Sequence, residues 1–206
     1  KDSDVIIKLC ELANVKYELH HQHTTADAPQ TVRYIRRTYP DTIIDYPKTS
    51  IWELIKKQGV PPTRLMRYCC KELKEYGGEG RVKVLGVRWA ESSGRKNNRK
   101  LTEMCYKNHT VTVNPIIDWT ETEVWEFHKL YKLKHNPLYD MGLKRVGCIG
   151  CPQKGKKGML EDFKRFPKYK ENYLRAFTKM LKMREQKGLE TTWKNAEEVF
   201  DWWINL

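Results

Sequence analysis

Over residues 3–14 the apolar positions Val5, Ile6, Leu9, Leu12 and Ala13 recur at helical spacing, which predicts an opening helix. Val15–His21 reads as a strand. A helix follows from Asp27 to about Arg37, with Asp27 as its N-cap and Pro29 in its first turn. Thr42–Asp45 predicts a short strand, and Ser50–Gln58 a helix in which Ser50 and Glu53 stand at capping-box spacing. Pro62–Tyr76 reads as a further helix, closed by Gly77 and Gly78. Val82, Val84, Leu85 and Val87 make Arg81–Arg88 a buried strand, and Val111–Ile117 is the next one. Between them, Glu91–Lys107 is polar, basic and aperiodic, and reads as a surface loop. Thr120–Leu133 is an amphipathic helix with a second capping box, Thr120 and Glu123. A long loop, Lys134–Lys157, leads to helices over about 160–187 and 194–204. Strands alternating with helices predict the α/β class with a parallel sheet, whose ligands bind beyond the carboxyl ends of the strands.

The 206 residues suit one domain with a core that needs no disulfide staples. No apolar run approaches the roughly 20 residues of a membrane span. No signal peptide is visible, and the chain opens on Lys1, Asp2 and Ser3 without a methionine. A reducing cytoplasm fits cysteines used as ligands rather than bridges. The net charge of +13 is concentrated in one region: Lys144 to Lys187 holds 14 Lys and Arg against 4 Asp and Glu. Such a surface implies an anionic partner, a nucleotide, a nucleic acid or an acidic protein, or else a solvated helical face. The glycines of Lys154–Gly158 would let backbone and ammonium groups approach phosphate.

Four of the six cysteines form two short pairs, Cys69 with Cys70 and Cys148 with Cys151. Thiolates choose soft metals, so the pairs predict a [4Fe-4S] cluster or a structural zinc, with a disulfide or inert core thiols as the remaining readings. Neighbouring thiolates sit more easily on separate corners of a cluster than on one tetrahedral ion. Cys10 lies in an apolar helical pattern and reads as core, while Cys105 stands alone in the polar loop. His20, His21 and His23 suggest a metal patch, but no second group of ligands accompanies them. Trp119 and Trp125 read as core, and Arg88, at a strand's end, as a phosphate ligand.

Five segments occur in order over residues 1 to about 153. They are Lys1-Asp2-Ser3; the Cys69-Cys70-Lys71 run within Arg67–Lys74; Gly86–Ser92, with Arg88, Glu91 and Arg95; Asn114–Trp119, followed by Glu123 and Trp125; and Asn136–Asp140, continued by Gly147–Cys151. Together they resemble the phosphoadenosine phosphosulfate (PAPS) reductase family of the PP-loop, or N-type ATP pyrophosphatase, group. The resemblance implies a parallel-sheet, adenine nucleotide alpha-hydrolase-like fold. Residues 1–153 would be its nucleotide-binding and iron–sulfur domain, and 154–206 a basic helical extension packed on the same domain. It implies that Cys69, Cys70, Cys148 and Cys151 hold a [4Fe-4S] cluster beside an adenine-nucleotide site. Lys1, Asp2 and Ser3 would be the end of a Ser-Gly-Gly-Lys-Asp-Ser phosphate loop, where backbone N–H groups and a helix N-terminus meet phosphate. Thr24, Thr25, Glu91, Ser92 and Arg95 would line the nucleotide pocket with Arg88, and Asp2 would help to place Mg²⁺.

Two departures bear on function. Reductases of the family carry a nucleophilic cysteine in a C-terminal Glu-Cys-Gly-Leu-His tail, and no cysteine follows Cys151 here. Thr24–Gln30 also stands where reductases carry an Asp-Thr-Gly segment. The sequence is more similar to the branch that serves DNA phosphorothioation. That likeness implies an ATP pyrophosphatase that adenylates a phosphate oxygen, with catalytic Lys1, Asp2, Ser3 and Arg88, and a cysteine desulfurase as sulfur donor. The alternatives are a PAPS or adenylyl-sulfate reductase whose catalytic tail lies outside this chain, and a non-catalytic cluster-bearing nucleic-acid adaptor.

Overall fold

A computed structural model describes residues 1–105 and 110–206, with the backbone alone of Cys105. In chain order the elements are α1 (Asp2–Leu12), β1 (His20–Gln22), α2 (Pro29–Thr38), β2 (Ile43–Asp45), α3 (Ile51–Gln58), α4 (Tyr68–Leu73), β3 (Val82–Val84), α5 (Ser93–Asn98), β4 (Thr102–Cys105), β5 (Thr110–Val113), α6 (Glu121–Leu130), α7 (Gly155–Arg165), α8 (Pro167–Gln186) and α9 (Ala196–Ile204). Single 3₁₀ turns cover Trp89–Glu91 and Pro152–Lys154. No described helix is long and apolar enough to cross a membrane.

Where one domain was expected, the chain divides into two compact units that interleave in sequence. The first unit takes Lys1–Leu19 and Gly77–Leu143. Its sheet has the order β3-β5-β4, with β3 parallel and β4 antiparallel to β5. The fourth strand corrects the expectation of a loop over Glu91–Lys107; Tyr106 and Lys107 lie outside the described residues. Thr102 and Met104 pair with Val113 and Val111, so β5, itself already placed beside β3, templates a strand whose own sequence is polar. Val5, Ile6, Ile116 and Val124 form the core, with Leu9, Trp119, Phe127 and Leu133 packed against it. The helix that supplies Val124 starts as its sequence predicts. Thr120 Oγ1 accepts from Glu123 N at 3.2 Å, and the Glu123 carboxylate accepts from Thr120 N at 2.6 Å.

The second unit takes His20–Tyr76 and Lys144–Leu206. β1 and β2 pair in parallel, His20 opposite Ile43. Ser50 caps α3 by accepting from Glu53 N at 3.2 Å, and Gly59 ends it in the left-handed region at φ 70°. α3 packs on α8, which in turn packs on α9. Tyr173, Phe177, Met180, Val199 and Trp203 fill the core, and the Trp203 indole donates to Pro62 O at 2.6 Å. The helix expected over about 160–187 is two helices. Pro167 has no N–H for the preceding turn, so α7 ends at Arg165, capped by Phe166, and α8 begins with proline in its first turn. Likewise α2 starts from Ala28, not Asp27, because the Asp27 carboxylate accepts from Thr24 N at 2.7 Å, upstream of the helix. The helix expected over Pro62–Tyr76 shortens to α4, since Thr63 Oγ1 takes the N–H of Leu65 and of Met66 into a turn.

Candidate functional site

The first unit carries a cluster of charges where α1 begins. Arg88 lies four residues beyond β3, at the cap of the 3₁₀ turn Trp89–Glu91, where the expected strand over Arg81–Arg88 has already ended at Val84, and it is 2% exposed. Its Nε donates to Asp2 Oδ1 at 2.8 Å, its Nη2 to Glu121 Oε2 at 2.8 Å, and its Nη1 to Trp119 O at 3.4 Å. Lys1 Nζ reaches the same Glu121 oxygen at 2.5 Å and lies 3.5 Å from Asp2. Gly86 makes this approach feasible, because a Cβ there would stand 2.8 Å from Asp2 Cβ. Two cations are thus held against two carboxylates, with Arg88 and Asp2 86 positions apart and Lys1 and Glu121 120 apart in sequence. Burial alone would raise the Glu121 pKa, but the hydrogen bonds from Lys1 and Arg88 outweigh it and hold the carboxyl below its usual range. Asp2 faces Arg88 and Lys1, so in this arrangement its carboxylate is paired with two cations. Ser3 is exposed in the first turn of α1.

Glu91, Ser92 and Arg95 form a local turn next along the chain. Glu91 accepts from Arg88 N at 3.2 Å and pairs with the Arg95 guanidinium, while Ser92 caps α5 by accepting from Arg95 N at 3.2 Å. Trp125, expected in the core, is half-buried on α6, and its indole donates to Glu121 Oε1 at 3.2 Å. Trp119 does join the core edge.

The second unit gathers all four paired cysteines, every one a free thiol. Cys69 and Cys70 lie on α4, and Cys148 and Cys151 flank a loop held at three points. Ile149 N donates to Ala26 O at 2.8 Å, Gly150 N to Asp162 Oδ2 at 2.9 Å, and Tyr173 Oη to Ile149 O at 3.0 Å. Gly150 has φ 70°, and a Cβ there would stand 2.5 Å from the Phe163 ring, so only glycine fits. The Asp162 carboxylate also binds Lys154 Nζ at 2.6 and 2.8 Å. Lys154 is therefore an internal structural cation rather than part of an open phosphate loop, and Lys156 is paired with Asn205 at 2.6 Å.

The thiols feel one another electrostatically. A hydrogen bond with Cys70, then burial and the neighbouring sulfurs, push the Cys69 thiol far up. The same bond, helped by the Arg67 guanidinium and Lys74 and opposed by burial, holds Cys70 well below its usual range. Burial raises Cys151. Lys74 is exposed as a residue, while its ammonium end bonds Cys148. Desolvation works against its charge, but Cys148, Asp27 and Cys151 outweigh it and raise its pKa. Thr24, 1% exposed, accepts from Cys148 Sγ at 3.3 Å. Thr25 sits at φ 61°, a rare conformation for a β-branched residue, and its Oγ1 accepts from Ile51 N at 2.9 Å. Thr24 and Thr25 thus belong to the surroundings of the thiols, while Lys1, Asp2, Ser3 and Arg88 lie in the other unit. Cys10, expected in the core, is half-buried. The side chain of Cys105 lies outside the described residues.

No three His, Cys, Asp or Glu side chains among the described residues group closely enough for a single metal ion. One zinc needs its sulfurs about 2.3 Å from a common centre. A cubane distributes its thiolates over separate irons, so a looser set of four thiols, with two cations beside them to offset thiolate charge, fits that donor chemistry.

Glu121, Lys74 and Asp162 are the residues the sequence did not single out. The capping-box spacing identified the α6 start, one residue from Glu121, but nothing local marks a carboxylate that pairs with residues 33 and 120 positions away.

One parallel strand pair in each unit, with helices between strands and a cationic corner at the start of α1, defines an α/β protein of the adenine nucleotide alpha-hydrolase-like, PP-loop type. Residues 1–154 match the phosphoadenosine phosphosulfate reductase domain, and the chain belongs to that family. It is 29% identical over 184 residues to an uncharacterized protein of Methanocaldococcus jannaschii, covering 82% of this chain and 38% of that protein. It is 28% identical over 144 residues to the adenosine 5'-phosphosulfate reductase of Bacillus cereus, covering 65% of this chain and 58% of that enzyme. The chain thus spans less than three fifths of either relative. In fold it is similar to the crystal structure of the phosphoadenylyl-sulfate reductase of Candida auris in a phosphate complex. The TM-score is 0.51 at 20% identity, over 71% of this chain and 76% of that one.

Proposed function

We propose that the chain is the nucleotide- and cluster-binding part of a sulfur-transfer enzyme, an adenylating ATP pyrophosphatase whose acceptor is the DNA backbone. The observation that carries this reading is the Lys1–Arg88 corner. Two cations, each nearly buried at the side chain, converge on one carboxylate oxygen at the start of a helix. Such a corner neutralises an oxyanion and is worth most where water is excluded. In the proposed reaction an acceptor phosphate oxygen attacks the α-phosphorus of ATP, the bond to the bridging oxygen breaks, and pyrophosphate leaves with its charge held by Lys1 and Arg88. The outer sulfur of a cysteine desulfurase persulfide, released at the sulfide level by a thiol reductant that is oxidised to its disulfide, then attacks the acceptor phosphorus and AMP departs with the oxygen. Mg²⁺ arrives with the nucleotide.

Cys69, Cys70, Cys148 and Cys151 would hold the [4Fe-4S] cluster, which supplies a soft, redox-capable centre. The bond from Cys69, helped by Arg67 and Lys74, holds the Cys70 thiol below its usual range, and the Lys74 ammonium beside Cys148 offsets negative charge there. The exposed lysines Lys157, Lys164, Lys168, Lys179 and Lys182 of α7 and α8 provide the surface for an anionic partner, DNA or the donor complex. The test is chemical: protein, ATP with Mg²⁺, cysteine, desulfurase, a thiol reductant and plasmid DNA are combined, and the digested DNA is searched for phosphorothioate dinucleotides by mass spectrometry. Their absence in a mixture that still releases pyrophosphate would reject DNA as acceptor.

A second reading, reduction of adenylyl sulfate or PAPS, is favoured by the name of the Bacillus cereus relative. It needs a nucleophilic thiol besides the two pairs, and this sequence offers Cys10 and Cys105. Sulfite release on adding reduced thioredoxin would mark it. DNA binding with neither product would mark a non-catalytic adaptor.

A further inference from the structure

The two carboxylates that face Lys1 and Arg88 are not equivalent. Asp2 already answers the guanidinium through Nε at 2.8 Å, and it lies 3.5 Å from Lys1. Glu121 adds a second anion, and a single oxygen of it, Oε2, accepts from both Lys1 Nζ and Arg88 Nη2. That is how one phosphate oxygen would bridge the same two cations. The four members differ in access: the Lys1 and Arg88 side chains are 5% and 3% exposed, Asp2 is 22%, and Glu121 is 55%. Glu121 is therefore the member that can leave without uncovering the core. Its backbone position is fixed independently by the Thr120–Glu123 capping box, so only its side chain must turn. Its other oxygen bonds the Trp125 indole at 3.2 Å, beside an open concavity of about 360 Å³ lined by Thr122, Trp125, Glu126 and Lys129. The side chain can swing toward that space while keeping Trp125 as a partner.

We propose that Glu121 is an exchangeable internal anion. It occupies the phosphate seat on Lys1 and Arg88 when no nucleotide is bound, and yields that seat to the incoming phosphate. This rests on the reading of Lys1 and Arg88 as phosphate ligands. Two consequences follow. The empty seat never leaves two buried cations with Asp2 as their one counter-charge, which would be costly. A ligand must also out-compete a tethered carboxylate, which weakens every anion at the seat by the same factor, the fraction of chains with the seat open.

The test is isothermal titration calorimetry of inorganic pyrophosphate, and separately of sulfate, into cluster-loaded wild type, Glu121→Gln and Arg88→Ala. Circular dichroism confirms that each variant is folded, and Glu121→Ala serves in place of the glutamine variant if that one is not. Glutamine keeps the shape and removes the competing charge. Pyrophosphate should bind Glu121→Gln roughly three- to tenfold more tightly than wild type, the scale of one partly exposed charged hydrogen bond. Sulfate should gain by a similar factor, since both anions compete with the same carboxylate, and Arg88→Ala should bind neither. Unchanged or weaker binding by Glu121→Gln, with wild type binding and Arg88→Ala not, overturns the exchange while leaving the phosphate seat in place. Absence of pyrophosphate binding in both wild type and Glu121→Gln overturns the seat itself, and the exchange with it.

Discussion

Asp162→Ala is the perturbation that most sharply tests how the Cys148–Cys151 loop is held. Asp162 is 4% exposed and comes from α7, yet it serves the loop twice. Oδ2 accepts from Gly150 N at 2.9 Å, and both oxygens accept from Lys154 Nζ at 2.6 and 2.8 Å. Alanine strands the Lys154 ammonium, whose side chain is 9% exposed, and leaves the Gly150 N–H without an acceptor. Breaking one side of a buried ion pair costs about 3–5 kcal/mol, and a buried donor left unmet costs about 1–3 kcal/mol. The two losses share one carboxylate, so they do not add fully, and about 4 kcal/mol is expected. A urea titration followed by tryptophan fluorescence reads this directly. With an m-value of about 2 kcal/mol per molar, the midpoint should fall by about 2 M. The double variant Asp162→Leu with Lys154→Met should recover most of the loss, since an apolar pair needs no counter-charge. A midpoint shift below about 0.5 M for Asp162→Ala would refute the account of the loop, as would a double variant no better than the single.

Three further outcomes are expected. Anaerobically purified protein should be brown with about four irons per chain, and Cys148→Ala should remove the colour and lower thermal stability, because ligand bonds also stabilise the fold; one equivalent of zinc without visible absorbance would contradict the cluster. Arg88→Ala should weaken ATP binding by about 1.5–3 kcal/mol in calorimetry, and Arg88→Lys, which keeps the charge but loses the fork, should recover only part of it; unchanged affinity would remove Arg88 from the site. In cluster-free protein, iodoacetamide should label Cys70 before Cys69. Because the Cys70 pKa is lowered, its thiolate persists as pH falls, and its rate from pH 8 to 6 should drop far less than the roughly tenfold per unit of an ordinary thiol; peptide mapping that shows Cys69 labelled first would contradict the assignment.

What could be read from the chain was what lies close together along it. The capping serines and threonines at Ser50 and Thr120 act within three residues, and both make the bonds their spacing predicts. The paired cysteines were visible for the same reason, each pair lying within four residues. Strand β4 was not legible because its polar alternation over Thr102–Cys105 becomes a strand only beside β5. The short α4 and the broken helix at Pro167 show local hydrogen bonding overruling apolar periodicity. Least legible were Glu121, Lys74 and Asp162, common charged residues whose importance comes from partners brought near by the fold. Arg88 was visible at the end of an expected strand, yet its two carboxylate partners were not, and they change it from an open ligand to one already occupied.

The central claim, adenylation with release of pyrophosphate, is tested most directly in one parallel assay. Anaerobically prepared, cluster-loaded protein is given ATP and Mg²⁺ with desulfurase, cysteine, a thiol reductant and DNA, and in separate vessels PAPS or adenylyl sulfate with reduced thioredoxin. AMP and pyrophosphate in equal amounts from the first vessel, lost in Arg88→Ala, with no sulfite from the others, is the predicted result. Sulfite at enzymatic turnover from either sulfonucleotide, with no pyrophosphate from ATP, would contradict the account and establish the chain as a reductase.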